Sequence, residues 1–412
     1  MHVILYQSAY ISSSELLPTI RNYGIIVIVK KLVSTICAVV IFFACAVPLL
    51  GCNAAGYTEF APVAVFSDDI AFTAKIMGAR ADYAYSRMKE AIERINREVS
   101  ATNTSSELYK FNNAQAGEKV EIGRYFDELF MLSKEYYTAT DGAFNPAAAP
   151  LIELWHVDAQ SIADYRQSDG TDGLPGLPTV AQVQDTLEVC DFSAIERTVE
   201  GDKVYISKPD ARIKLDFGGI AKGYAVDKCV DILDEYEISS ALIDISGNAY
   251  FYGDYMGGKN ESNWNVGIVS PRPRSGDGLV RRGYVCAASL VGGVSAVTSG
   301  DYMRYYVRDG VYIPHIIGKD GVPIGVRYDD AAGKWVNTYE NVISATVIGK
   351  SSAQCDALST AVCAVGFDEG KALLQNLGLK GLIFSEKRFT IIGDVALYAT
   401  GDYDGYRAYE RV

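Results

Sequence analysis

The chain has 412 residues, 49% of them hydrophobic, a formal net charge of −13 and a pI near 4.8. That length allows one large domain or two ordinary ones with a substantial core, and the acidic balance argues against a nucleic-acid surface. Only three histidines occur, His2, His156 and His315, which excludes a multi-histidine metal centre in the folded part.

The N-terminal region reads as a processing segment. Lys30-Lys31 precede an apolar run from Leu32 to Leu50, and Gly51-Cys52 follows. A small residue before cysteine at the end of such a run is a bacterial lipobox, and cleavage there leaves Cys52 as a lipidated N-terminus. The run is about 19 residues long, so a transmembrane anchor is the competing reading. Either places the folded part outside the membrane, and the lipobox register favours a lipid anchor on the extracytoplasmic face of a bacterial cell membrane. Residues 1–28 do not resemble a signal n-region and read as upstream sequence, with the start near Val29. The expected organisation is a signal and lipoprotein segment over 1–52, a tether over 53–60 and one folded domain over 61–412.

Tyr85, Met88, Ile92, Ile95 and Val99 recur at helical spacing and predict an amphipathic helix. Phe126, Leu129, Phe130 and Tyr136-Tyr137 predict another, and Pro150 to Trp155 a partly buried one. Met77-Gly78 closes a strand-like segment. Ser168 to Pro178 reads as a surface loop. Lys203–Ile206 and Arg212–Asp216 read as strands, and the segment after Gly219 as a helix with Tyr224, Ala225, Cys229, Ile232 and Leu233 on one face. Ala241–Ile245, Trp264–Val269 and Asn341–Ile348 read as strands, and a helix capped by Ser351 or Ser352 follows. Without regular βαβα alternation, the pattern predicts an α+β domain with a mixed sheet and packed helices. Beyond the apolar run and Cys52 stand Cys190, Cys229, Cys286, Cys355 and Cys363; with no CxxC pair they read as mostly buried thiols.

The stretch from Lys214 to Asp227 carries the strongest chemical signal. It reads as a strand, a Gly218-Gly219 turn and a helix start bearing Lys222. Backbone N–H groups, the helix N-terminus and an ammonium together suit a phosphate. The glycine spacing fits neither a Walker A loop nor a dinucleotide fingerprint. A tight corner with a solvated lysine is the plainer alternative. Asp356 and Thr360 are four apart and share a helix face with Ala353, Ala357 and Ala364. A carboxylate plus a hydroxyl suits Mg²⁺, which keeps waters and phosphate oxygens; a buried Asp–Thr hydrogen bond is the alternative. His315 sits among apolar residues and follows the polar-aromatic run Ser299–Tyr305, so it is either a structural histidine or a general base. His156, after Trp155, reads as packing.

Taken in order, these segments resemble the ApbE-type FAD:protein FMN transferases over about Phe72 to Gly366. The matching pieces are Met77-Gly78, Ser106-Glu-Leu with Phe111-Asn112, Gly142-Ala-Phe with Pro146, Pro150-Leu with Leu154-Trp155, Asp216 with Gly219 to Asp227, Ser246-Gly-Asn, Thr298-Ser-Gly-Asp, His315-Ile-Ile and Asp356-Ala-Leu-Ser-Thr360. The resemblance implies the ApbE-like fold and Mg²⁺ held by Gly219, Asp356 and Thr360. It implies an FAD site lined by Met77, Ala143, Phe144, Asn145, Asp216, Lys222 and Ile316, with His315 deprotonating the acceptor hydroxyl. It further implies FAD as substrate, a partner flavoprotein subunit bearing the acceptor Ser or Thr, and AMP as product. FAD pyrophosphatase activity, or flavin binding without catalysis, are the alternatives. Three positions depart from the family pattern: Asn145 stands for an Asp, Gly318-Lys319 for Asp-Pro, and Thr102 for a tyrosine two residues after Ser100.

Overall fold

The structure is a computed structural model that describes residues 56–167, 176–258, 263–272, 284–338, 340–399 and 408–411. Its centre is a nine-stranded sheet whose spatial order follows chain order: β1 (Thr58–Val65), β2 (Ser67–Met77), β3 (Ser240–Ile245), β4 (Asn248–Tyr252), β5 (Val294–Gly300), β6 (Val342–Gly349), β7 (Lys380–Ser385), β8 (Arg388–Ile392) and β9 (Ala408–Arg411). Every neighbouring pair is antiparallel except β8–β9, which is parallel. The domain is therefore α+β with a mixed sheet, as the sequence predicts. β6 is buried along all but its last residue. It reads as a continuous apolar run because elements cover both its faces.

The helices are α1 (Ala81–Val99), α2 (Glu107–Asn113), α3 (Arg124–Ala139), α4 (Ala221–Glu235), α5 (Ser352–Val365) and α6 (Phe367–Asn376), with further ones at Ala149–Leu154, Ala159–Gln167 and Val180–Leu187. On α1 the buried positions include Met88, Ile92, Ile95 and Val99, the stripe its periodicity predicts. α5 packs against α4 on one side and β5 and β6 on the other. Ten of its fourteen residues are consequently buried, which explains its small side chains. None of the described helices is long and apolar enough to cross a membrane.

Four hydrophobic clusters make up the interior. The largest joins α1, α3, α4 and the β2–β3 region. A second lies under the three-stranded sheet formed by Trp264–Val269, Tyr284–Leu290 and Ala396–Ala399. A third lies between α5, α6 and β6, and a fourth surrounds Trp155 and Trp335. Each cluster holds at least one buried free thiol: Cys229, Cys286, Cys355 with Cys363, and Cys190 respectively.

Two boundaries differ from expectation. β1 begins at Thr58 and Tyr57 Oη meets Ser240 Oγ at 2.6 Å, so the end of the proposed 53–60 tether is already sheet. Arg212–Asp216 is not a strand. Its alternation is strand-like, but side chains satisfy its backbone instead of a neighbouring strand. Asn112 bonds both the N–H and the C=O of Leu215, at 2.8 and 2.9 Å. Buried Lys208 donates to the carbonyls of Asn112, Ala211 and Ile213. The signal segment, Cys52 and most of the 168–178 loop lie outside the described residues.

Candidate active site

Three chain reversals meet at one end of the sheet: the turn between β3 and β4, the end of β5, and the glycine turn before α4. Asp216 fixes that last turn. Its N–H donates to Pro146 O at 2.8 Å, and its Oδ1 accepts Gly218 N–H at 2.6 Å. A Cβ on Gly219 would stand 3.3 Å from Phe144 Cε2 and 3.4 Å from Thr360 Oγ1. Phe144 and Thr360 thus both flank Gly219, and a side chain at 219 would crowd them.

Lys222 points back over the turn. Its Nζ donates to Gly218 O at 2.8 Å and stands 3.4 Å from both carboxylate oxygens of Asp356. Asp356 is 2% exposed. It accepts Gly223 N–H at 3.0 Å and, in the amide orientation that satisfies both groups, Asn248 Nδ2 at 3.2 Å from each oxygen. Burial pushes its carboxyl upward, and Lys222 opposes that shift. Thr360 Oγ1 lies 3.3 Å from Ser299 Oγ, which is also 2.7 Å from Ser359 Oγ.

This donor set fits a small hard cation. Asp356, the Thr360 hydroxyl and the Gly219 backbone offer oxygen only, and no group of three or more His, Cys, Asp or Glu side chains forms an alternative site among the described residues. The Lys222 ammonium stands off at 3.4 Å, longer than a tight charge-assisted hydrogen bond, so its hold on Asp356 is loose. So few protein oxygens suit Mg²⁺, which completes its shell with water or phosphate oxygens, better than Ca²⁺.

His315 follows the hairpin Tyr305–Arg308 and Val311–Pro314. Its Nδ1 is 3.1 Å from Arg304 O, and its backbone N–H donates to the same carbonyl. A carbonyl only accepts, so Nδ1 carries the proton and Nε2 keeps its lone pair. Burial, then the charge of Arg304 and, more weakly, that of Lys222, pushes the ring from 6.5 down to about 3. The ring is therefore neutral at physiological pH.

Other expected site residues are placed differently. Ala143 and Phe144 are buried beside the turn, and Ile316 is buried in the third cluster. Asn145 spends its amide on the fold: Nδ2 donates to Cys190 O at 2.7 Å and Oδ1 accepts Ala147 N–H at 2.9 Å. A carboxylate could not make the first of these bonds, which accounts for Asn at this position. Met77 is not brought to the site. It pairs with Ser240 at the far end of β3, while the site lies beyond Ile245, which pairs with Phe72. At about 3.4 Å per residue, that places Met77 roughly 17 Å along the strand. Lys319 ion-pairs with Asp141 at 2.8 Å. Asp301, in the turn after β5, is held by Arg272 at 2.8 and 2.6 Å and is not offered as a base. His156, at φ 52°, is half-buried and follows the buried Trp155. Asn248 and Ser299 lie in segments the sequence singled out, yet their contacts with Asp356 and Thr360 depend on distant pairings that no local pattern shows.

The sequence pattern of the ApbE family matches residues 69–383. The chain belongs to the ApbE family. An FAD:protein FMN transferase of Treponema pallidum (strain Nichols) is 31% identical over 301 residues, covering 70% of this chain and 74% of that one. One from Klebsiella pneumoniae (strain 342) is 26% identical over 313 residues, covering 74% and 83%. Among solved structures, the Pseudomonas stutzeri flavinyl transferase ApbE aligns with a TM-score of 0.63 at 22% identity, covering 86% of this chain and 98% of that one. The ApbE protein of Thermotoga maritima aligns at 0.64 and 23% identity, covering 84% and 98%. These two likenesses establish the ApbE fold.

Proposed function

We propose that this protein is an FAD:protein FMN transferase that moves FMN from FAD onto a serine or threonine hydroxyl of a partner protein and releases AMP. The names of its curated relatives support the reaction class. The carrying observation is the buried Asp356 carboxylate, set 3.4 Å from Lys222 across a glycine turn.

Lys222 and the N–H groups at the start of α4 offer positive charge to the pyrophosphate. Asp356, Thr360 and the Gly219 carbonyl would hold Mg²⁺, which when bound offsets charge on the phosphate oxygens. His315 Nε2 takes the proton of the acceptor hydroxyl as its oxygen attacks the FMN phosphorus. A new P–O bond forms, the pyrophosphate P–O bond breaks, and AMP leaves. Incubation with FAD, Mg²⁺ and an acceptor fragment tests this: the expected result is an FMN-sized mass gain on the fragment. Free FMN plus AMP would show water as the acceptor, and intact FAD would reject the reading.

The mature chain is further proposed to begin at lipidated Cys52, on the strength of Gly51-Cys52 ending the apolar run. Intact-mass measurement of membrane-extracted protein should show a lipid adduct on Cys52. Its absence would favour a transmembrane anchor.

A further inference from the structure

The helix bearing Asp356 and Thr360 is not held at its N-terminus by its own cap alone. Ser351, the N-cap of α5, accepts Gln354 N–H at 3.2 Å. The next unpaired N–H groups are satisfied from another helix. Asp227 on α4 accepts Ser352 N–H at 2.6 Å and Ala353 N–H at 3.0 Å, and it also accepts the Ser351 hydroxyl at 2.7 Å. One turn earlier on α4, at the same face, stands Gly223. A Cβ there would lie 2.3 Å from Ser352 O and 2.8 Å from Asp356 Cβ, so the two helices touch backbone to backbone. Lys222 is the neighbouring residue. The start of α5 and the first two turns of α4 are thus joined by the Asp227 carboxylate and by the missing side chain at Gly223.

We infer that Asp227 is a positioning residue for the metal site: by capping α5 from α4, it sets the separation between Lys222 and Asp356 and thereby the affinity for Mg²⁺. The inference rests on the proposed metal site. Asp227 touches neither the metal donors nor the reacting atoms, so it acts through helix placement. Replacing its carboxylate by an amide turns an N–H donor toward the helix N–H groups and loosens the cap. Such supports of metal ligands alter metal affinity without changing the ligands themselves.

The test is a Mg²⁺ titration of the folded protein, followed by its thermal midpoint and by quenching of FAD fluorescence, with no acceptor present. Asp227→Asn is expected to raise the half-saturating Mg²⁺ concentration about ten-fold. Turnover with acceptor should then return to near the wild-type kcat at saturating Mg²⁺, a split that a merely structural residue would not give. Ser351→Ala, which removes one bond to Asp227 and the cap on Gln354 N–H but leaves both backbone bonds to Asp227, should shift the titration in the same direction by a smaller factor. Unchanged half-saturation in both variants overturns the inference, even if their thermal midpoints fall. Should Asp227→Asn not fold, Ser351→Ala decides alone, its shift or lack of shift counting as above. A wild-type chain whose thermal midpoint and FAD quenching ignore Mg²⁺ overturns the metal site, and the role of Asp227 with it.

Discussion

Asp356 meets the N–H of Gly223 on α4, the amide of Asn248 on β4 and the ammonium of Lys222, while its own helix is capped by Asp227. The ring of His315 is tied through one carbonyl, that of Arg304 in the segment after β5. The anion-handling side of the site is therefore built from several secondary structures, and the base side from one loop and a hairpin. A buried carboxylate must be held from several directions because desolvation penalises it. A neutral imidazole carries no such penalty, and one hydrogen bond suffices to fix its tautomer.

Removing either side separates the two roles. Asp356→Ala should abolish transfer, lowering it by at least about 10³-fold, because the remaining donors cannot hold Mg²⁺ in near-octahedral geometry. Turnover unchanged after chelation and Mg²⁺ titration would remove the metal from this site. His315→Asn should keep FAD binding, seen by flavin fluorescence, and reduce transfer by about two orders of magnitude. Near wild-type transfer in that variant would make His315 structural. Loss of binding as well would assign it to holding the hairpin.

Asp301→Asn sharpens the comparison on the base side. Because Arg272 occupies both oxygens of Asp301, its replacement should lower transfer by less than about ten-fold, or ~1.4 kcal/mol. A loss as large as that of His315→Asn would move the base to Asp301. The pH profile is the mildest test. With His315 held near 3, kcat/KM should show no histidine limb between pH 8 and about pH 5. An apparent pKa near 6.5 would mean that water reaches the half-buried ring and offsets its desolvation. The stability linkage runs the same way. The unfolded chain binds more protons between about 3 and 6.5, so His315's contribution is complete above 6.5 and lost as pH falls toward 3.

The sequence was legible where one residue's neighbours in space are also near in the chain. Met88, Ile92, Ile95 and Val99 mark α1 because a helix repeats locally, and Asp356 and Thr360 share a face for the same reason. It was misleading where the backbone's partners come from afar. Arg212–Asp216 alternates like a strand, yet Asn112 and Lys208 take the place of a neighbouring strand. Met77-Gly78 has the right composition for a ligand contact but ends β2 at the wrong end of the sheet, which only the pairing register reveals. The cap from Asp227 to Ser352 crosses more than a hundred residues and leaves no local trace.

The distribution of thiols gives the interior a built-in set of reporters. Cys229, Cys286, Cys355 and Cys363 are buried and pushed well above the usual thiol range, and Cys190 is pushed up to about 11. Protonated and shielded, they react with an alkylating reagent only when their surroundings open. Because the four clusters each hold at least one, a labelling time course resolved by peptide mass would time the opening of each separately. Cys355, beside Asp356, would report the metal-site helix on a different clock from Cys286 beneath the three-stranded sheet.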